Sequence, residues 1–69
     1  MSKEQAKKLG MALKKARVKA GLTQVELAAL IGVTSTYVFM LESGRRLNPS
    51  FDKLHQWAKA CNTSLTKML

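Results

Sequence analysis

"TQVELAALIGVTSTYVFMLESG" (residues 23–44) decides how this chain folds, because a helical pattern stops at Gly32 and resumes at once. Before the glycine, Leu27, Ala28 and Ile31 recur at helical spacing; after it, Val38 and Leu41 do so. One long helix would not place Gly32 there, and two independent helices would usually be joined by a longer linker. Thr23 and Glu26 form a capping box that opens the first segment, and Thr34 can cap the second. The segments are therefore two helices meeting at a tight corner.

Such a corner has steric requirements. The first helix needs a small residue where the second crosses it, and Ala28 supplies one. The turn needs a residue tolerant of positive φ, which is Gly32. Leu27, Ile31, Val33, Val38 and Leu41 then lock the pair. All of this falls within residues 24–41, and two helices crossing steeply through a short glycine turn make a helix-turn-helix.

The flanks add further helices. Residues 3–20 carry Leu9, Leu13, Ala16 and Ala20 at helical spacing, with lysines largely off that stripe, and Gly21 stops the run. Gly44 closes the helix begun at Thr34, and "RRLNP" reads as a loop. Ser50 caps a helix over 51–61 with Phe51, Leu54, Trp57, Ala58 and Cys61 on its apolar face. Ser64 starts a last short turn bearing Leu65, Met68 and Leu69. The expectation is all-α: five helices, no sheet, one domain over residues 1–69.

Charge narrows the partner. The 69 residues hold twelve Lys+Arg against four Asp+Glu, a net charge of +8. That excess points to a polyanion, either nucleic acid or an anionic membrane surface. No run approaches the roughly 18 apolar residues of a membrane span, and the N-terminus lacks a signal-peptide core, so a cytoplasmic setting is expected. The lone Cys61 fits a reducing compartment. His55 and Cys61 have no second Cys or His beside them, so a metal site is not expected. No activated nucleophile, phosphate-cradling glycine loop or carboxylate pair is visible. The chain reads as a non-enzyme without cofactor or small-molecule ligand.

At about 100° per residue, Val38 and Leu41 share one side of the helix begun at Thr34. Ser35, Thr36, Phe39, Met40 and Ser43 fall on the other, and with Thr34 they form the expected base-reading set. In a helix-turn-helix that side enters the major groove. Hydroxyls can meet several base edges, and methyl or thioether groups can lie on a thymine methyl. Alternatively, Phe39 packs on its own domain or on another protein. Gln24, at the start of the preceding helix, can hold a phosphate. Tyr37 at the rim either reaches a phosphate or packs, and Arg45, Arg46 and Asn48 either clamp the backbone or form a solvated loop.

The segment "LTQVELAALIGVTSTYVFMLESGRRLNPS" resembles the Cro/CI-type (XRE-like) helix-turn-helix family of phage repressors and restriction–modification controller proteins. The likeness runs from about Leu9 to Leu69. It implies a five-helix, lambda-repressor-like domain, usually dimeric, that reads operator DNA with its third helix. It also implies the phosphate role of Gln24 and a structural salt bridge between Arg17 and Glu42. The chain departs from the pattern where many members carry Arg or Gln, at positions matching Ser35 and Met40, which shifts discrimination toward thymine methyls and DNA shape.

These readings lead to a sequence-specific regulator of double-stranded DNA, a repressor binding an inverted repeat as a homodimer in a prokaryotic or phage cytoplasm, on the nucleoid. Leu65, Met68 and Leu69 either contribute to the two-fold contact or cap the monomer core. The rival expectation is a protein-interaction adaptor or antitoxin-like module using Phe39 and Met40 as its patch. Membrane binding through the first helix is weaker, because its apolar stripe is needed for the core.

Overall fold

Ser2, Thr23, Thr34, Ser50 and Ser64 each sit one residue before a helix and accept the backbone N–H three residues on. They open α1 (Lys3–Lys19), α2 (Gln24–Ile31), α3 (Ser35–Glu42), α4 (Phe51–Ala60) and α5 (Leu65–Met68). The structure is a computed structural model that describes residues 2–45 and 49–69, and among these there is no β-strand. Ser2 and Thr23 are full capping boxes, because Gln5 and Glu26 return a side-chain oxygen to the cap's own N–H.

The first four helices end alike. Leu22, Val33, Arg45 and Thr63 donate their N–H to carbonyls five residues back, on Arg17, Ala28, Met40 and Ala58, at 2.9–3.2 Å. The residue inside each lock has positive φ: Gly21, Gly32, Gly44 and Asn62. Side-chain oxygens and left-handed residues thus satisfy end groups that would otherwise lack partners.

The core gathers Leu13, Leu27, Ala28, Ile31, Val38, Leu41, Trp57 and Cys61. Trp57 is fully buried, and its indole Nε1–H donates to the Leu13 carbonyl at 3.1 Å, which fastens α4 to α1. Lys53 reaches across from α4 and donates from Nζ to the Ile31 carbonyl at 3.2 Å. A cation there meets the negative end of α2.

Two apolar faces differ from expectation. In α1 the buried line is Ala6, Gly10, Leu13 and Arg17, whereas Leu9 and Ala16 are half-buried and Ala20 is exposed. The buried line turns toward α3, which α1 meets through the close backbone approach at Gly10 and through the Arg17–Glu42 pair. In α4, Phe51 is 74% exposed because its position in the first turn lies beyond the core, while Trp57, Ala58 and Cys61 point inward.

Gly10 permits a close approach between α1 and α3. A Cβ added there would overlap the Glu42 carbonyl oxygen and lie 2.6 Å from that of Leu41. The backbones of α1 and α3 therefore touch at the glycine, which sets how far the third helix stands from the scaffold.

Candidate nucleic-acid interface

The corner between α2 and α3 is bent by 111°. Gly32 makes it with φ 72° and ψ 34°, a left-handed conformation that costs a side chain with a Cβ about 1–2 kcal/mol. Ala28 is buried and Val33 half-buried beside the turn, and Leu27, Ile31, Val38 and Leu41 close it from within.

This corner sorts the residues of α3. Val38, Leu41 and Glu42 are buried. Thr34, Ser35, Thr36 and Phe39 are exposed, with Phe39 at 45%, while Met40 and Ser43 are half-buried at the edge. The outer face expected from the helical projection is therefore assembled. Two of its hydroxyls also serve the helix itself: Thr34 Oγ1 accepts the Tyr37 N–H, and Ser43 Oγ donates to the Met40 carbonyl at 3.2 Å.

Glu42 holds α3 to the rest of the molecule. Its carboxylate accepts from Arg17 Nε at 2.6 Å, from Arg17 Nη2 at 3.1 Å and from Gln24 Nε2 at 3.1 Å. Arg17 also donates from Nη1 to the Leu22 carbonyl at 2.7 Å. The side chains of the pair are only 11% and 4% exposed, so water screens them little. The hydrogen-bonded carboxylate raises the Arg17 pKa above its ordinary value, and the guanidinium stays charged at any usable pH. Among the described residues no buried side-chain nitrogen or oxygen lacks a partner.

Gln24 begins α2, half-buried, with its amide bridging to Glu42, a contact that sequence reasoning did not anticipate. An amide nitrogen carries two hydrogens, so this bond leaves donor capacity for a second acceptor. Tyr37 is half-buried and packs against the core cluster. The Arg45 guanidinium lies 5.7 Å from the centroid of the Phe39 ring, a cation–π distance that joins a residue on the outer face of α3 to a cation just beyond the helix. Arg46 and Asn48, also expected at phosphates, lie outside the described residues. On α1, Lys3, Lys7, Lys8, Lys14, Lys15 and Lys19 are all exposed.

At the other end of the chain, Leu65 is half-buried, Met68 packs against the core, and Leu69 is 67% exposed. Met68 thus closes the monomer, while Leu69 borders a shallow hollow with Leu9, Ala12 and Leu54. His55 is exposed on α4, and Cys61 is buried. Burial pushes the Cys61 thiol pKa up, which disfavours the reactive thiolate. Alkylation of Cys61 by iodoacetamide at neutral pH is accordingly expected to run about tenfold or more slower in the native chain than in urea, as read by intact mass. Equal rates would mean that the core around Trp57 is open.

A glycine corner of this angle, joining two short helices whose second presents an exposed face, defines the protein as a helix-turn-helix. The chain belongs to the Cro/CI-type helix-turn-helix family: the family model described as helix-turn-helix matches residues 13–68. It is similar to the restriction-modification controller protein C.AhdI from Aeromonas hydrophila, with 30% identity, a TM-score of 0.88 and coverage of 96% of this chain and 98% of that one. The clp gene regulator ClgR from Corynebacterium glutamicum is 32% identical with a TM-score of 0.86, over 91% of this chain and 66% of that one. SinR, a master regulator for biofilm formation solved in complex with DNA, is 27% identical with a TM-score of 0.80, over 87% of this chain and 95% of that one. No curated protein matches the chain. Among the described residues, no single helix is long and apolar enough to cross a membrane.

Proposed function

We propose that this chain is a DNA-binding transcriptional regulator that grips duplex DNA as a homodimer, with α3 of each copy in a major groove. The observation that carries the reading is the exposed outer face of α3, set at 111° to α2 on a chain of net charge +8. Ser35, Thr36, Phe39 and Met40 meet base edges, with Thr34 and Ser43 at the margins of the contact. Gln24, Tyr37, Arg45, Arg46 and Asn48 hold phosphates on either side, and the lysines of α1 supply a diffuse attractive field. Arg17 and Glu42 fix the angle of presentation and do not read bases.

Two copies related by a two-fold axis place their third helices about 34–36 Å apart, so the operator is an inverted repeat. Exposed Leu69, with Leu65 and the edge of Met68, contributes to the two-fold contact. The outcome is repression by occluding polymerase, in the cytoplasm of a prokaryotic or phage-infected cell. The protein works by binding, without catalysis or cofactor.

Selection of bound sites from random duplexes, followed by a salt titration on the enriched site, tests this. Contact with about six phosphates gives a slope of log K against log[salt] near −5, from roughly −0.9 per phosphate. Arg45→Ala lowers affinity for all duplexes alike and makes the slope shallower by about one, whereas Thr36→Ala relaxes preference at particular positions. A flat salt response, with no enriched site, would favour a protein-binding adaptor that uses Phe39 and Met40.

A further inference from the structure

The outer face of α3 has little with which to read hydrogen bonds. Its helix, "STYVFMLE", contains one charged residue, Glu42, and that carboxylate is buried against Arg17 and Gln24. No arginine, lysine, asparagine or glutamine lies within α3, so the helix offers none of the bidentate pairings that separate guanine from adenine. Its hydroxyls on Ser35 and Thr36 both donate and accept, so each offers only a weakly selective single hydrogen bond to a base edge. The large groups that remain are the exposed Phe39 ring and the Met40 thioether. The Arg45 guanidinium lies over the Phe39 ring at 5.7 Å from its centroid, on the same outer side of the helix.

The major-groove edge of a base pair presents one apolar group, the methyl on C5 of thymine. Resting on the function proposed above, we infer that Phe39 and Met40 read the C5 position of pyrimidines, so that affinity is set by the presence of a 5-methyl group. Cytosine methylated at C5 carries the same group at the same place in the groove. The chain therefore also senses cytosine C5 methylation: at a position contacted by Phe39 or Met40, 5-methylcytosine binds more tightly than cytosine.

The experiment uses the enriched duplex from site selection. Each thymine is replaced singly by deoxyuridine, which deletes only the methyl, and Kd is measured for the wild type, Phe39→Ala and Met40→Ala. At one or two positions per half-site, loss of the methyl weakens wild-type binding about fourfold, the factor for one buried CH₂-sized group. At those positions the effect disappears in one of the two variants, and replacing the thymine by 5-methylcytosine instead of cytosine recovers a similar factor. Phe39 is exposed, so its variant is expected to fold; the wild-type duplex series and the 5-methylcytosine comparison do not depend on any variant.

A preferred site whose deoxyuridine forms all bind as tightly as thymine would overturn the inference and leave the DNA-binding function standing. So would methyl effects that persist unchanged in both variants, because they would then come from DNA shape. Absence of any preferred duplex would overturn the function itself and this inference with it.

Discussion

Replacing Glu42 with alanine is expected to lower the unfolding free energy by about 3–5 kcal/mol, the cost of leaving one member of a buried ion pair alone. The substitution strands the Arg17 guanidinium on a side chain that is 11% exposed, and removes the acceptor of the Gln24 amide. At roughly 0.05–0.15 kcal/mol per residue, a chain of this length has only about 3–10 kcal/mol in total, so a large unfolded fraction is expected at 37 °C. Urea denaturation followed by the fluorescence of Trp57, the sole tryptophan and fully buried, reads the change directly. The double variant Arg17→Met/Glu42→Leu should recover most of the loss, because both charges leave together. A cost below about 1 kcal/mol for Glu42→Ala would place the pair with exposed salt bridges and remove the anchor proposed for α3.

The second large effect is expected at Gly10. Alanine is the better helix former by about 1 kcal/mol, so an unconstrained helical site would gain stability from Gly10→Ala. Here the new methyl meets the carbonyl oxygens of Glu42 and Leu41, which are backbone and have no rotamer to escape into. Separating α1 from α3 enough to fit it carries an overpacking cost of roughly 1–3 kcal/mol or more. We expect net destabilisation, measured in urea, and weaker binding to the selected duplex because α3 is displaced. A more stable Gly10→Ala variant would contradict the backbone contact.

Much of the fold was legible because its boundaries are written locally. Thr23, Thr34 and Ser50 announce helix starts, and Gly21, Gly32 and Gly44 announce ends, each through a bond spanning only a few residues. Ser2 with Gln5 follows the same rule at the head of the run read over residues 3–20, although the cap itself was not legible because its first turn is polar. Asn62 was less legible, since asparagine adopts positive φ less often than glycine. The outer face of α3 followed from angular projection alone.

Packing between distant segments was not legible in this way. Arg17 and Glu42 are 25 residues apart, and nothing in the periodicity pairs them; the expectation came from family resemblance. The Gln24 bridge and the stack of Arg45 on Phe39 depend on how side chains settle after the helices dock. Gly10 did leave a signal, a glycine inside an otherwise favourable helix, which commonly marks a close contact.

The division of labour along α3 bears on how such a protein acquires new targets. Val38, Leu41 and Glu42 are committed to the interior, whereas Ser35, Thr36 and Phe39 stand clear of it. Exchanges at those three positions are expected to stay within about 0.5 kcal/mol in stability, as at ordinary surface sites. On the proposed function, the alphabet of recognised sequences can be rewritten by a few codon changes without endangering the scaffold, a route open equally to natural divergence and to laboratory retargeting.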